Sequence, residues 1–138
     1  MAFKVLLVED DRTTAFMLKR LLDAEGFEVV LVEDGEAAFK LLDLQNHFDL
    51  LIVDYQLPRL NGRELITRLQ SSPSAQVPTI MISGVIKLSE IADLLQKGID
   101  RFLPKPIEQR ALVNYAKLLV GCPPSIEELL QAHDNLRI

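Results

Sequence analysis

The chain has 138 residues, 49% of them hydrophobic, with a formal net charge of −5, one cysteine and no tryptophan. This length is typical of one compact domain, which buries about two-thirds of its unfolded surface and needs no disulfide or metal for stability. The acidic balance argues against nucleic-acid binding as the main function, the apolar runs are too short to span a membrane, and the single thiol of Cys122 favours a cytoplasmic protein.

Four short apolar runs, rich in Val, Ile and Leu, recur along the chain. Such runs are typical of strands buried on both faces, and therefore of a parallel sheet covered by helices. A fifth, weaker candidate strand covers residues 101–103. The four stronger candidates are residues 5–8, 29–32, 50–53 and 80–82.

Between these runs, apolar residues recur every three or four positions, which is the spacing of amphipathic helices. The first helix is predicted to end at Gly26, and the fifth to begin just after Pro106. The residues predicted to face inward are, helix by helix, Ala15, Phe16, Leu18, Leu21 and Leu22; Ala38, Phe39, Leu41 and Leu42; Leu65, Ile66 and Leu69; Ile91, Leu94 and Leu95; and Leu112, Val113, Ala116 and Leu119.

The alternation of five strands and five helices predicts a doubly wound α/β fold. Right-handed crossovers that cover both faces of a parallel sheet favour the strand order 2-1-3-4-5. We expect one domain over residues 1–120, followed by a linker and a short sixth helix within residues 121–138. In such a fold, ligands bind at the carboxyl ends of the strands.

Acidic residues follow the first and third predicted strands at this edge. The first strand runs into Glu9 and Asp10, the third into Asp54, and Lys105 follows the fifth. Because the carboxyl ends of parallel strands share one edge, we expect the three carboxylates and Lys105 to converge. Three like charges need positive charge nearby, and a carboxylate set without His or Cys favours Mg²⁺ or Mn²⁺.

Other charged residues are interpreted more simply. Asp11 is expected to cap the first helix, and Glu33 and Asp34 to form the turn and cap before the second. Asp49 lies at the opposite end of the third strand and is expected to form the turn into it. The scattered basic residues expected on solvated faces are Lys19, Arg20, Arg63, Arg68, Lys97, Arg101 and Arg110.

Four ordered segments carry the most specific pattern: VLLVEDD at 5–11, DYQLPRLNG at 54–62, PTIMISG at 78–84 and GIDRFLPKP at 98–106. In this order, and at these strand ends, they resemble the receiver domain of two-component response regulators. The resemblance covers about residues 3–120. It implies a flavodoxin-like fold, with five helices flanking the five-stranded parallel sheet.

The resemblance implies that Asp54 accepts a phosphoryl group from a histidine kinase or phosphotransfer protein. Ser83 would donate a hydrogen bond to that group, and Lys105 would pair with it. By moving towards the phosphoryl group, Ser83 would let Phe102 turn inward and change the surface of the fourth helix, fifth strand and fifth helix. The alternative for Phe102 is a permanent core residue. The Lys105–Pro106 peptide bond is expected to be cis.

By the same resemblance, Mg²⁺ or Mn²⁺ would be bound by Asp10, Asp54 and the backbone carbonyl of Gln56, with Glu9 acting through a water molecule. Gln56 and Val85 stand at two positions that, in the family, help to set how fast the aspartyl phosphate hydrolyses. Because the Val85 side chain cannot orient a water by hydrogen bonding, we expect slow self-dephosphorylation.

The leading hypothesis is a stand-alone phosphoacceptor module that controls an unidentified downstream partner and is not a conventional turnover enzyme. Alternatives are a receiver-like domain that binds partners without phosphorylation, a phosphorelay intermediate, and a receiver truncated from a larger regulator. An aspartyl-nucleophile phosphatase is disfavoured because Arg12 stands where its second aspartate would be. A flavin carrier is disfavoured because the acids after the first strand would repel phosphate.

Interactions with other molecules are expected to be protein–protein contacts. Dimerisation would use the surface of the fourth helix, fifth strand and fifth helix, and neither nucleic acid nor a membrane is an expected partner of this chain. The apolar stripe of the sixth helix is expected to pack on the domain. A dimer interface and the start of an output domain are the alternatives for that stripe.

Overall fold

The computed structural model describes residues 2–44, 47–84 and 86–121. The predicted sixth helix and Val85 lie outside these described residues, and no helix within them is both long and apolar enough to cross a membrane. The elements are β1 (Lys4–Val8), α1 (Arg12–Ala24), β2 (Glu28–Val32), α2 (Gly35–Leu44), β3 (Leu50–Asp54), α3 (Gly62–Leu69), β4 (Thr79–Ser83), α4 (Leu88–Gln96), β5 (Arg101–Pro104) and α5 (Gln109–Leu119).

The five strands form one parallel sheet in the order β2-β1-β3-β4-β5, which confirms the predicted doubly wound, flavodoxin-like fold. The register aligns the carboxyl ends of neighbouring strands. Val8 pairs with both Val32 and Val53, and Ser83 pairs with Pro104. The residues that follow these strands therefore emerge at one edge of the sheet.

Burial differs between the central and the edge strands. Every residue of β3 and β4 is buried, as the apolar runs predict for strands covered on both faces. The same prediction is wrong for β2, whose residues are half-buried or exposed. The physical reason is its position: β2 is an edge strand with a neighbour on one side only. β5, at the other edge, buries only Leu103.

Alternate residues of the central strands pack into two separate cores. On one face Leu51 and Met81 pack with α2, α3 and α4, and on the other Leu50 and Ile80 pack with α1 and α5. This division follows from the pleat, which directs successive side chains to opposite faces. The sheet is thereby held rigidly between two helical layers, and its carboxyl edge remains accessible.

The predicted inner faces of the helices are too wide at three positions. Phe16 is 63% exposed, Leu41 is 36% exposed and Leu95 is 47% exposed. Each lies directly beside a buried residue in sequence, but one helical step of about 100° turns it to the flank of the stripe. Phe16 lies under the guanidinium of Arg20, 5.7 Å from its ring centre. The remaining predicted inward residues are buried or half-buried.

The simpler interpretations of Asp11, Asp34 and Asp49 are confirmed. Asp11 accepts hydrogen bonds from the Thr14 hydroxyl and the Thr14 N–H at the start of α1, and these two bonds lower the pKa of Asp11. Asp34 accepts from the Ala37 N–H at the start of α2. Asp49 accepts from the Lys4 N–H at 2.7 Å, at the opposite edge of the sheet from Asp54.

Candidate functional site

The carboxyl edge of the sheet brings Glu9, Asp10, Asp54 and Lys105 together, as the strand pattern predicts. One carboxylate oxygen from each of the three acids lies within 4.8 Å of the others. The Lys105 ammonium lies 2.6 Å from Asp54 Oδ2 and 3.5 Å from Glu9 Oε1. Glu9 and Asp54 are buried, and Asp10 is exposed at the rim. The result is a carboxylate cluster with one open side.

Asp54 is the most constrained member of this cluster. It is the last residue of β3 and is 4% exposed. Its Oδ1 accepts a hydrogen bond from the Gln56 N–H at 3.0 Å, while Oδ2 accepts from Lys105. Both carboxylate oxygens therefore have fixed directions, which prepares the side chain for chemistry at a defined position.

The start of α3 holds the loop after Asp54 in place by a close backbone approach. The Gly62 N–H donates to the Tyr55 carbonyl at 2.8 Å. A Cβ atom at Gly62 would lie 2.8 Å from the Asp54 carbonyl oxygen and 2.9 Å from the Tyr55 Cα. Only glycine fits this contact without moving the backbone that carries Asp54.

Glu9 is a buried acid with an unusual affinity for protons. The residue is 2% exposed, and its N–H continues the β1–β2 ladder to the Val32 carbonyl. The pKa of Glu9 is raised to about 7, with burial as the largest cause and neighbouring Asp54 acting in the same direction. The Asp11 N–H and the Lys105 charge act in the opposite direction but do not cancel the effect. A cation at the cluster would favour the ionised form.

Lys105 leaves the end of β5 towards the acids, and its N–H donates to the Ser83 carbonyl at 3.0 Å. Burial by itself would lower the pKa of Lys105, but the hydrogen bond and charge of Asp54, followed by those of Glu9, raise it overall. The side chain is therefore a permanent cation at neutral pH. The Lys105–Pro106 peptide bond is cis, as expected.

The remaining predicted residues lie around this cluster. Ser83 is buried at the end of β4, where it pairs with Pro104 and its carbonyl accepts the hydrogen bond from the Lys105 N–H. Phe102 is half-buried and packs against the core on the α2–α4 side. Gln56 follows the cluster with an exposed side chain. The structure brings Ser83 to the site edge, and the roles predicted for Phe102 and for the Gln56 carbonyl stay predictions.

The donor atoms of the cluster match a hard divalent cation. All three acids offer oxygen, and among the residues that the structure describes neither His nor Cys joins them in the group. Oxygen-only sets favour Mg²⁺ or Mn²⁺ over Zn²⁺, which prefers nitrogen and sulfur. Because two of the acids are buried, solvent stabilises their negative charge poorly, and a bound cation would offset that charge. The residues present therefore fit Mg²⁺.

A polar network beside Asp54 was not apparent from the sequence. The Tyr55 hydroxyl donates a hydrogen bond to Glu90 on α4. Arg63 on α3 pairs with the same Glu90 oxygen at 3.5 Å and with Asp93 at 2.6 Å. The interpretation of Arg63 as a merely solvated residue is therefore wrong. In the sequence, the only sign of this network is that Glu90 and Asp93 stand three positions apart, which places them on one face of α4.

Comparisons with known proteins agree with this geometry. Residues 5–117 match the family described as the response regulator receiver domain. The transcriptional regulatory protein CpxR of Klebsiella pneumoniae is 42% identical over 112 residues, which cover 80% of this chain and 46% of that protein. The sensor protein GacS of Pseudomonas syringae is 30% identical over 140 residues, covering 94% of this chain and 15% of GacS. The chain thus spans about half or less of these relatives.

Solved structures show the same fold. A CheY-like receiver domain protein from Methanospirillum hungatei has a TM-score of 0.80 at 25% identity, covering 87% of this chain and 94% of that one. The receiver domain of the sensor histidine kinase PA1611 from Pseudomonas aeruginosa has a TM-score of 0.79 at 25% identity, covering 88% and 99%, with a magnesium ion coordinated in its active-site cleft. Together with the fold and the carboxylate cluster, these matches show that the chain belongs to the response regulator receiver domain family.

Proposed function

We propose that this chain accepts a phosphoryl group on Asp54 from a phosphohistidine of a histidine kinase or phosphotransfer protein. The observation that carries the proposal is the buried Asp54 carboxylate, 2.6 Å from the Lys105 ammonium and clustered with Glu9 and Asp10. A carboxylate that is buried, oriented and adjacent to a fixed cation is suited to act as a nucleophile on a phosphoryl group. The family match supports this assignment.

In the proposed reaction, an Asp54 carboxylate oxygen attacks phosphorus as the phosphorus–nitrogen bond to the donor histidine breaks. The histidine nitrogen keeps the bonding electrons, and Asp54 becomes an acyl phosphate. Negative charge spreads over the phosphoryl oxygens during transfer. Lys105 would pair with one of these oxygens, and the Ser83 hydroxyl would donate a hydrogen bond to another.

Asp10, Asp54 and the Gln56 carbonyl would hold Mg²⁺ or Mn²⁺, with Glu9 acting through a water molecule. When bound, the ion supplies positive charge that offsets the charge of the transferring group. The oxygen-only donor set supports this assignment, as does the magnesium ion in the receiver domain of PA1611. Before transfer, Lys105 holds the Asp54 carboxylate in a fixed direction.

Phosphorylation would then change the surface formed by α4, β5 and α5. The modified Asp54 carries about one extra negative charge or slightly less. Ser83 moving towards the phosphoryl group would open space beside β4, and the half-buried Phe102 would turn into it. A downstream protein that binds only one of the two surfaces would read the signal. The chain acts as a switch whose self-dephosphorylation resets it, and not as a turnover enzyme.

The relatives support the phosphoryl chemistry more than any one output. CpxR is a transcriptional regulatory protein and GacS is a sensor protein, and the chain matches only part of each. The shared segment is the receiver, with its phosphoacceptor site. We therefore assign the class of phosphoryl donor, a histidine kinase or phosphotransfer protein. The cellular response would depend on the downstream partner.

Intact-mass measurement tests the proposal directly. The protein is incubated with acetyl phosphate and Mg²⁺, and we expect an adduct with the mass of one phosphoryl group. Asp54→Asn should abolish the adduct. Asp11→Asn is the matched control, since asparagine also caps a helix and Asp11 lies outside the cluster. An adduct that persists undiminished in Asp54→Asn would overturn the proposal.

A further inference from the structure

Helix α4 is held to the domain by fewer apolar contacts than the other described helices. Leu94 is its only buried residue, whereas α1, α2, α3 and α5 each bury three or four. Lys87, at its N-terminal cap, makes no side-chain capping hydrogen bond. Leu88 is 81% exposed. With so little apolar burial, polar contacts have a large influence on where α4 lies.

Polar contacts of this kind join α4 to its neighbours along its length. Near its start, Glu90 accepts a hydrogen bond from the Tyr55 hydroxyl and pairs with Arg63. In its middle, Asp93 pairs with Arg63 at 2.6 Å. At its end, the Lys97 carbonyl accepts a hydrogen bond from the Gln70 side chain at 3.0 Å. The Tyr55 contact is the one among these that reaches α4 from the residue directly after Asp54.

The backbone of Tyr55 is itself fixed to the site. Tyr55 directly follows Asp54, and its N–H donates to the Ile82 carbonyl at 2.8 Å. Ile82 in turn precedes Ser83, the hydroxyl proposed to contact the phosphoryl group. The Tyr55 carbonyl accepts from Gly62 at the start of α3. A displacement at Asp54 or Ser83 therefore moves the base of the Tyr55 side chain.

We propose that Tyr55 is a positioning residue whose hydroxyl, through Glu90, holds α4 against the end of β3 and passes a change at Asp54 to that helix. The holding contact depends on geometry alone, and the transmitted change rests on the proposed function. By thermodynamic linkage the effect is reciprocal. If modification of Asp54 changes the free energy of α4 opening, then opening of α4 changes the free energy of the modification by the same amount. The Tyr55–Glu90 contact would act alongside the movements of Ser83 and Phe102 proposed above.

Hydrogen exchange of the α4 amides is the experiment that tests this inference. Tyr55→Phe keeps the half-buried ring and removes only the hydroxyl. We expect the α4 amides to exchange roughly three- to tenfold faster, the effect of losing one hydrogen bond of ordinary net strength. Tyr115→Phe is the matched control, because it removes a hydroxyl from the other tyrosine, on α5. It should leave α4 exchange unchanged.

A double variant distinguishes a direct contact from general loosening. If the hydroxyl acts through Glu90, adding Tyr55→Phe to Glu90→Ala should increase α4 exchange by much less than Tyr55→Phe does alone. Additive effects would overturn the contact, and so would wild-type exchange of α4 in Tyr55→Phe. The α1 and α5 amides provide the internal reference for global stability.

A second arm adds Mg²⁺ and beryllium fluoride, which together mimic the phosphoryl group, with binding verified by native mass. In wild type we expect α4 exchange to change on binding, and in Tyr55→Phe we expect that change to be at least roughly threefold smaller. An equal change in both proteins would overturn the transmission. If wild type does not bind the mimic, the proposed function and the transmission fail together, while the first arm still decides whether Tyr55 holds α4.

Discussion

Replacing Glu9 by glutamine tests the electrostatics of the carboxylate cluster with a change of few atoms. The residue is 2% exposed, and burial raises its pKa from 4.5 to about 7. Glutamine keeps the size and the hydrogen-bonding oxygen but cannot ionise. Any difference in pH dependence between wild type and Glu9→Gln therefore reports the cost of the Glu9 charge.

The direction in which the free energy of unfolding changes with pH follows from proton binding. Between about pH 4.5 and pH 7 the unfolded chain has lost the Glu9 proton while the folded protein keeps it. Because the unfolded state binds fewer protons in this interval, the free energy of unfolding falls as pH rises. At about 1.36 kcal/mol for each pH unit, a rise from 4.5 to about 7 corresponds to about 3 kcal/mol. The loss is complete above about pH 7.

Urea denaturation without divalent cations, at several values from about pH 4 to about pH 8, measures this effect. We expect Glu9→Gln to gain up to about 3 kcal/mol relative to wild type across that range. Mg²⁺ added at the high end should stabilise wild type more than the variant. Glu33→Gln, at an exposed acid after β2, is the control for the substitution itself. A difference between wild type and Glu9→Gln that does not vary with pH would contradict a raised pKa at Glu9.

Three further predictions concern other parts of the site. Lys105→Met keeps the side-chain length but removes the charge 2.6 Å from Asp54. The initial rate of adduct formation from acetyl phosphate should therefore fall at least about tenfold. A rate within about twofold of wild type would contradict the role of Lys105. Gly62→Ala places a Cβ 2.8 Å from the Asp54 carbonyl oxygen and should lower the free energy of unfolding by about 1–3 kcal/mol, and an unchanged urea midpoint would count against the close approach. Val85→Glu adds a group that can orient a water, so the acyl phosphate should hydrolyse several-fold faster. An unchanged or slower rate of hydrolysis would contradict this prediction.

The sheet and the edge of the site were predictable because each depends on local pattern. Short apolar runs ending in Glu9 and Asp54 fix where the strands stop, and the topology then requires those ends to meet. Lys105 joins them for the same reason. The fold and the convergence of the acids with Lys105 thus follow from strand ends and crossover handedness, with no knowledge of side-chain contacts.

Features that depend on how elements pack were not predictable in the same way. Glu9 is buried and its N–H extends the ladder to β2, and neither feature is apparent from the apolar run that precedes it. The Tyr55–Glu90 contact depends on the rotation of α4 about its axis. That rotation is poorly specified by a helix whose only buried residue is Leu94. Phe16 likewise lies on the flank of its stripe, where hydrophobicity alone does not decide exposure.

Locating the phosphoryl group tests most directly whether Asp54 is the phosphoacceptor. After incubation with acetyl phosphate and Mg²⁺, the acyl phosphate is reduced with borohydride, which converts the modified aspartate to a stable alcohol, and the digested peptides are mapped by mass. We predict that the reduced residue is Asp54, and that chelating the Mg²⁺ prevents its formation. A reduced residue at any other aspartate, or none at all in the presence of Mg²⁺, would contradict the claim.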